Sequence, residues 1–380
     1  MDLCDFITDG THQTPEYCEK GGYLFLSSKD VTSRKIDWNH AKRIPEYLHK
    51  ELYEHLSPQK NDILLAKNGT TGVAAIVDRD EIFDVYVSLA VLRPKKIVFP
   101  LFLYYAINSP NIKKQFDSGL KGIGVPNLHL NVIRNATIQQ LPSYEEQIKI
   151  CRILDNANSI VESRQREIQL LDNLIKARFV EMFGDTILNP FGWDKELLGT
   201  VCDVRDGTHD SPQYYDTGFP LVTSKNVTGG KIDLSDCSLI CEADYKKINE
   251  RSNVDIGDIL MPMIGTIGNP VIVDIEPRFA IKNVSLIKFK PASKVLNIYI
   301  RTLLQSDYFD DAVLGKVRGG TQKFISLGDI RKLEILVPPV NLQNEFAAFV
   351  AQIDKSKLSI QKSLDKAQLL FDSLMQKYFG

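Results

Sequence analysis

The sequence of 380 residues lacks the features that mark membrane, metal-binding and nucleotide-hydrolysing proteins. Its longest apolar runs, such as residues 101–107, are far shorter than the roughly 20 residues of a membrane-spanning helix. Its six cysteines include no Cys-x-x-Cys pair, the spacing typical of a zinc ribbon or a redox site. Gly315-Lys316 is followed by Val317, where a P-loop requires Ser or Thr. These absences exclude a membrane span and predict no metal site and no ATP hydrolysis.

The charge balance excludes a protein that holds nucleic acid by bulk charge. The chain has 46 basic and 48 acidic residues and a pI near 6.3, whereas such proteins are strongly basic. Any nucleic-acid binding must therefore be local or shared with a partner. Asp2 and Asp5 stand where a secretory signal would carry basic residues, so we expect a cytoplasmic protein with free thiols.

The sequence is present twice, at an offset of about 197 residues. Asp-Gly-Thr-His occurs at 9–12 and at 206–209, and Pro142 and Gln147 return as Pro338 and Gln343. Further matches occur in unbroken order: 4–5 with 202–203, 28–31 with 224–227, 35–37 with 231–233, 62–64 with 258–260, 69–72 with 265–268, and 87–89 with 284–286. Because solenoid repeats run only about 20 to 50 residues, this period indicates two duplicated domains.

Each copy contains short β-type runs and then a long helix. Runs such as 63–66, 75–77 and 85–92 are bounded by Gly, Pro, Asn and Asp, and a helical stretch comes after them at 100–108 and at 297–309. The final quarters, 143–183 and 341–379, contain no Pro or Gly. We predict an α+β fold of two tandem mixed α/β domains, each followed by a long helix, with these bounds: domain 1 at 1–142, central helix at 143–190, domain 2 at 191–339 and C-terminal helix at 340–380.

The long helices carry apolar residues at heptad spacing, which predicts a coiled-coil seam. The seam residues are Leu154, Val161, Ile168, Ile175, Val350, Ile353, Leu364 and Phe371. Arg164 interrupts the first seam where the second has Ile360, so we expect the two helices to pair with each other, antiparallel, with the domains related by an approximate two-fold axis. A coiled coil between two chains is the alternative. Because basic and acidic residues nearly cancel on these helices, we expect them to face proteins rather than DNA.

Three polar, glycine-containing loops recur and are the candidate DNA contacts. The first is Asp-Gly-Thr-His, which can offer backbone amides, a hydroxyl and an imidazole to phosphates or base edges. The second lies at 67–72 and 263–268, and the third, locally basic, at 119–124 and 316–323. The candidate residues are Thr11, His12, Lys29, Asn68, Thr70, Thr71, Lys121, Asn127, Thr208, His209, Lys225, Asn226, Thr266, Arg318, Thr321, Gln322 and Lys323. The alternative to DNA contact is that the first loop is a turn with a structural histidine and that the others are loops exposed to solvent.

The two halves follow a recognisable pattern. Each opens near Cys-Asp and Asp-Gly-Thr-His, and each enters its long helix through a short segment, at 141–147 in the first half and at 337–343 in the second. Over essentially its whole length the chain resembles the DNA-specificity subunit of a type I restriction-modification system. The resemblance implies two target recognition domains, each recognising one part of a bipartite asymmetric site in double-stranded DNA. It also implies that the long helices set the length of the spacer between the two parts of the DNA site and dock two methyltransferase subunits. Motor-nuclease subunits then join the complex. Residues 191–198 have no counterpart in the first copy, which leaves the exact start of the first domain open.

The same resemblance implies a non-catalytic chain without a cofactor of its own, with S-adenosylmethionine, ATP and Mg expected on the partner subunits. Two rival functions are compatible with the sequence: a coiled-coil scaffold that binds proteins only, and an enzyme that acts on DNA alone. Asn189-Pro190-Phe191 faintly resembles the Asn-Pro-Pro-Phe motif of DNA amino-methyltransferases, but one Pro is absent and no cofactor-binding glycine motif precedes it. A helix stop after Gly184 explains the segment without catalysis.

Overall fold

The computed structural model describes residues 2–120, 126–264, 267–291, 293–314 and 324–380. The chain divides into two compact units. Residues 1–165 and 361–380 form unit 1, and residues 166–360 form unit 2. Each unit therefore contains one globular region and a stretch of each of the two long helices.

Unit 1 is built on two sheets. A four-stranded antiparallel sheet has the order β1-β7-β4-β5, and a three-stranded sheet has the order β3-β2-β6, in which β2 and β6 are parallel. The strands are β1 Cys4–Asp9, β2 Tyr23–Leu26, β3 Lys42–Ile44, β4 Ile63–Ala66, β5 Ala74–Ile76, β6 Phe83–Val85 and β7 Leu89–Pro94. The helices are α1 Glu46–His55, α2 Pro100–Ile107, α3 Pro110–Gly119, α4 Leu130–Asn135 and the long α5 Tyr144–Phe183.

Unit 2 repeats this topology, with sheets β15-β14-β17-β9 and β13-β10-β16 in corresponding order. The strands are β8 Asp194–Leu197, β9 Asp203–Asp206, β10 Phe219–Val222, β11 Val227–Thr228, β12 Lys231–Ile232, β13 Ser238–Ile240, β14 Ile259–Pro262, β15 Val271–Ile272, β16 Ala280–Ile281, β17 Val284–Lys288 and β18 Glu334–Val337. The helices are α6 Leu198–Val201, α7 Glu242–Ser252, α8 Asn297–Leu304, α9 Asp307–Leu314, α10 Leu327–Arg331 and the long α11 Val340–Phe379. The expected tandem of mixed α/β domains, each followed by a long helix, is confirmed.

The second copy carries one addition. The segment 191–198, which lacks a counterpart in the first copy, forms β8 and pairs antiparallel with β18 immediately before α11. It also begins the short helix α6, in which Leu198 and Val201 are buried. The extra residues therefore belong to unit 2, where they cover the strand that leads into the long helix.

The sequence prediction was wrong at two places in the elements. The run 85–92 is not one strand: Leu89 N–H donates to Tyr86 O at 2.9 Å, and this turn separates β6 from β7, which lie in different sheets. The stretch 297–309 is not one helix, because α8 ends at Leu304 and α9 begins at Asp307. Helices α1 and α7 were not predicted.

The central strand of each four-stranded sheet is covered on both faces. In β4, Ile63 and Leu65 face the core that contains α2, while Leu64 and Ala66 face the core beneath the three-stranded sheet. In β14, Ile259 and Leu260 divide in the same way. Alternate side chains of a strand point to opposite faces, so a strand buried on both faces needs an unbroken apolar run.

In unit 1 the beginning of α5 packs against the end of α11. Leu154 and Ala157 lie in one core cluster with Phe371, Met375 and Phe379. Helix α2 closes the same cluster: the rings of Phe102 and Phe379 are 5.0 Å apart, and Tyr105 Oη donates to Asp155 Oδ1 at 2.5 Å. The long helices are thus part of the globular core, not only an extension from it.

In unit 2 the end of α5 packs against the beginning of α11. Phe346 lies 5.5 Å from Phe179 and 5.4 Å from Phe183, measured between ring centroids. Lys357 Nζ donates to Asp172 Oδ1 at 2.6 Å across the same pair of helices. The start of α5 therefore meets the end of α11 in unit 1, and the end of α5 meets the start of α11 in unit 2. This confirms the expected antiparallel pairing of the two helices within one chain.

The predicted seam residues line these helix contacts to different depths. Leu154, Val161, Ile175, Val350 and Phe371 are buried. Ile168, Ile353 and Leu364 are partly buried. No helix in the described part of the chain is both long and apolar enough to span a membrane.

A buried glutamine joins each long helix to its globular region. Gln147 of α5 is 0% exposed; its Oε1 accepts from Phe99 N–H at 2.7 Å, and its Nε2 donates to the carbonyls of Ile97 and Pro142 at 3.1 and 3.0 Å. Phe99 is the N-cap residue of α2, so the amide satisfies a helix-end N–H that would otherwise lack a partner.

Gln343 of α11 repeats the arrangement in unit 2. Its Oε1 accepts from Leu296 N–H, at the N-cap of α8, at 2.8 Å. Its Nε2 donates to Lys294 O at 2.9 Å and Pro338 O at 2.8 Å. The recurrence of Pro and Gln in the sequence thus has a physical cause.

We predict that Gln147→Leu lowers the free energy of unfolding by about 2–4 kcal/mol, because one N–H and two carbonyls would be left buried and unpaired. Gln343→Leu should cost a similar amount in unit 2. Urea denaturation followed by circular dichroism measures the effect, and the exposed Gln140→Leu is the matched control. Equal denaturation midpoints for Gln147→Leu and the control would show that the amide contributes little.

Candidate nucleic-acid interface

The second and third loops meet at the same point in both units. In unit 1, residue 68 forms an isolated antiparallel bridge with residue 127, and Leu128 N–H donates to Lys67 O at 2.8 Å. In unit 2, Ile264 and Phe324 form the corresponding bridge, and Ile325 N–H donates to Met263 O at 2.9 Å. We call this contact the loop bridge. The fold thus brings together two loops that are about 60 residues apart in the sequence.

The first loop joins them in unit 1 through a buried ion pair. Lys67, only 8% exposed in its side chain, contacts Asp9 of the Asp-Gly-Thr-His motif through a short Nζ–Oδ2 hydrogen bond. A cleft of about 800 Å³ opens over this pair, and its lining includes three predicted residues. These are His12, Asn68 and Asn127, and His129 lies beside them.

The glycine of the first loop is required by close backbone approach. A Cβ on Gly10 would lie 1.8 Å from Val85 O, and one on Gly207 would lie 2.1 Å from Ile281 O. The same approach places Thr11 N–H and Thr208 N–H on these carbonyls, at 3.1 and 3.0 Å. The backbone amides of Thr11 and Thr208, which we expected to face DNA, are therefore used within the chain.

The two histidines of the motif differ. His209 Nε2 lies 2.9 Å from Asp206 Oδ2, and its Nδ1 lies 2.8 Å from Asn283 Oδ1. The hydrogen bond with Asn283, and then that with Asp206, raise the pKa of His209, because a doubly protonated ring can donate to both oxygens. His12 is 75% exposed in its side chain and lies 3.5 Å from Asp9 Oδ1. The structural alternative thus fits His209 better than His12.

The motif carboxylate has a different cation in each unit. Asp206 is ion-paired with Arg251 of α7, whereas Met263 stands where unit 1 has Lys67. Sequence reasoning missed Lys67, Arg251 and Asn283 as members of the site. The one available signal was that the acid of the repeated motif would need a buried partner.

The matching segments 28–31 and 224–227 place their side chains unequally. Asn226 is 3% exposed, and its amide is engaged by Thr223 N–H at 3.0 Å and by Asp233 O at 3.2 Å. Its amide organises the 3-10 turn, so the geometry does not favour it as a DNA contact. Lys225 Nζ donates to Asp236 at 3.2 Å on the surface, and Lys29 is exposed on the corresponding turn.

The second loop in unit 1 turns at Gly69, which has a φ of +75°. Thr70 is exposed, and Thr71 Oγ1 donates to Gly69 O at 3.2 Å. The remaining predicted residues lie outside the described residues: Lys121, Thr266, Arg318, Thr321, Gln322 and Lys323. The contribution of the third loop itself thus stays a prediction.

Comparison with known proteins finds one matching family, described as type I restriction modification DNA specificity domain, over residues 1–173 and 190–369. The chain is 25% identical to the specificity subunit of the type I restriction enzyme MjaVIII of Methanocaldococcus jannaschii, over 81% of this chain and 77% of that one. The MjaIX specificity subunit of the same organism is 24% identical over 94% and 86%. A crystal structure of a type I restriction-modification S subunit from M. genitalium has a similar fold, with a TM-score of 0.55 at 15% identity over 100% and 94% of the two chains.

We predict that Asn283→Gly lowers the pH at which His209 titrates, because the acceptor for Nδ1 is removed while glycine keeps the positive φ of 54°. The stability that His209 contributes is full below its unfolded pKa of about 6.5 and is lost as the pH rises through its raised folded pKa, so the variant loses that contribution at lower pH. NMR titration of the histidine ring measures the midpoint. Asn269→Gly, also at a φ of 54°, is the matched control; midpoints that coincide in both variants would contradict the assignment.

Proposed function

The chain belongs to the type I restriction modification DNA specificity domain family, and on this premise we propose that each unit recognises one part of a bipartite, asymmetric DNA sequence. It is a type I specificity subunit, which binds DNA, assembles with other subunits of the system and has no catalytic activity of its own. The stand-alone enzyme is thereby set aside. The division of the DNA site between the two units depends on how their loops differ.

The observation that carries the proposal is the repetition of one backbone arrangement with different side chains. Both units join the second and third loops by a loop bridge, and both fold the first loop onto the end of a neighbouring strand. The residues at these points differ: Asn68 and Asn127 in one unit, Ile264 and Phe324 in the other. Base edges are distinguished by the donors, acceptors and methyl groups that they present, so two such surfaces select two different sequences.

Phosphate contacts in this proposal are few and local. Lys29 and Lys225 lie on exposed turns, whereas Lys67 is neutralised by Asp9 in the interior. With a formal net charge of −2, the chain alone has little long-range attraction for DNA. We therefore assign most of the contacts with DNA phosphates to two methyltransferase subunits, which carry S-adenosylmethionine. We expect motor-nuclease subunits with ATP and Mg to join them.

The long helices suit a role as spacer and dock. Each is 40 residues long, about 60 Å at 1.5 Å per residue, and contributes to both units. Exposed apolar side chains remain on them after they have paired, and we assign these side chains to contacts with the partner subunits. The exposed residues include Ile153, Ile160, Leu170, Leu174, Leu358, Leu369 and Leu370. A scaffold that binds proteins only would use the same surfaces, so DNA recognition must be tested separately.

We predict that replacing residues 1–142 by the corresponding domain of another family member changes one half of the methylated sequence and leaves the other half intact. Because the exchanged segment ends at residue 142, Gln147 of the original chain stays in place. The readout is methylation mapping in cells that contain the partner subunits, and the reciprocal control replaces residues 191–339, which should change the other half. Alteration of both halves by either exchange would refute separate recognition, and an unchanged sequence in both would favour the scaffold.

We predict that seven residues inserted after Gln165, together with seven after Ile360, lengthen the unrecognised spacer by about three base pairs. Seven residues add about 10.5 Å to each helix while preserving the heptad seam, and DNA rises about 3.4 Å per base pair. The same mapping gives the spacer length. Seven residues inserted at the glycine turn Gly229–Gly230, outside the helices, serve as the control. If the spacer length stays constant in the double-insertion variant, the long helices do not set the distance between the two parts of the DNA site.

A further inference from the structure

The loop bridge has the same backbone in both units but opposite side-chain chemistry. In unit 1 it joins Asn68 and Asn127, and in unit 2 it joins Ile264 and Phe324. The neighbouring hydrogen bonds of 2.8 and 2.9 Å are equivalent. The fold therefore accepts either apolar or polar residues at these two positions, and their identity is free to serve a ligand.

Among the residues that the structure describes, nothing satisfies the polar pair of unit 1. The amide oxygens of Asn68 and Asn127 are both buried, and neither has a hydrogen-bond partner among the described residues. A buried polar group without a partner costs free energy, which the apolar pair of unit 2 avoids. Because the pair lies in the lining of the cleft with His12, a ligand that enters the cleft can supply the missing partners.

The unpaired atoms define the chemistry of that ligand. Both are acceptors, so they require N–H donors and would repel phosphate oxygens. Lys67, the one buried cation among the described residues that line the cleft, is already paired with Asp9, which further disfavours a phosphate. Donors on a base edge belong to the exocyclic amino groups of adenine and cytosine in the major groove.

Adenine fits an asparagine amide better than cytosine does. Adenine presents an N6 amino donor beside the N7 acceptor, and an amide presents an acceptor beside a donor in the matching geometry. Cytosine offers only its amino group there. In unit 2, Phe324 is 39% exposed and lies next to Ile264, a pair suited to apolar contact with the thymine methyl group.

We propose that the loop bridge is a base-selecting element of opposite chemistry in the two units: one asparagine of the Asn68–Asn127 pair accepts from the N6 amino group of an adenine, whereas Ile264 and Phe324 contact a thymine methyl group. This inference rests on the proposed function and adds to it the kind of base recognised. It assigns one position in each half-site.

The test begins with the full chain bound to its partner subunits. Selection from random DNA duplexes gives the preferred site, and the exchange of residues 1–142 assigns each half to a unit. Duplexes with purine in place of adenine then remove the N6 amino group at one position at a time, and duplexes with uracil in place of thymine remove the methyl group. These substitutions need no protein variant, so a folding defect cannot obscure them.

For unit 1 we expect one adenine whose replacement by purine weakens binding about 5- to 150-fold. For unit 2 we expect one thymine whose replacement by uracil weakens binding about fourfold. The double variant N68I/N127F, which copies the residues of unit 2, should lose the purine effect in its half-site alone. Asn135→Ala, at the exposed end of α4 and outside the cleft lining, should keep it.

The outcomes separate this inference from the function on which it rests. If no duplex is selected and binding shows no salt dependence, the proposed function fails. If a site is selected but N68I/N127F leaves every position unchanged, or weakens all positions equally, the loop bridge does not select a base. Selection of cytosine instead of adenine at the affected position would overturn the adenine assignment.

Discussion

The structure depends on a buried amide at the beginning of each long helix. Gln147 and Gln343 each accept from the first N–H of a helix in the globular region and donate to two carbonyls on either side of the junction. An amide side chain has one acceptor oxygen and two N–H donors, which matches the one hydrogen bond accepted and the two donated here. The direction in which each long helix leaves its globular region is therefore fixed by three hydrogen bonds, and every proposed role of the helices depends on that direction.

The sheets explain how two copies could diverge at their loops without losing the fold. The central strands β4 and β14 are buried on both faces, so their sequences stay apolar in both copies. The loops that come after them are held by backbone hydrogen bonds, as at Leu128 and Ile325. These bonds form whatever side chains the residues carry. Asn68 could thus be replaced by isoleucine at little cost to the scaffold, and the resulting differences lie where a ligand would meet them.

Much of the architecture could be predicted from sequence, because it depends on period and order. The duplication, the long helices and their heptads are patterns that extend over many residues, and all three are confirmed in the fold. Local assignments failed where a short segment is decided by its neighbours in space. Residues 85–92 look like one strand because their apolar run is continuous, but the turn at Tyr86 divides them between two sheets. Asn226 resembles an exposed polar contact in the sequence, but it is buried in a turn.

The order and spacing of the residues are enough to show that there are two copies, that each ends in a helix with an apolar seam, and which loops keep their glycines. These properties arise from side-chain period and backbone freedom, which are local. Three pairings follow only from the folded chain: the second and third loops meet at the loop bridge, Lys67 neutralises Asp9, and Arg251 pairs with Asp206. Such pairings join residues that are far apart in the chain, and burial selects them through the cost of leaving a charge or an amide unpaired.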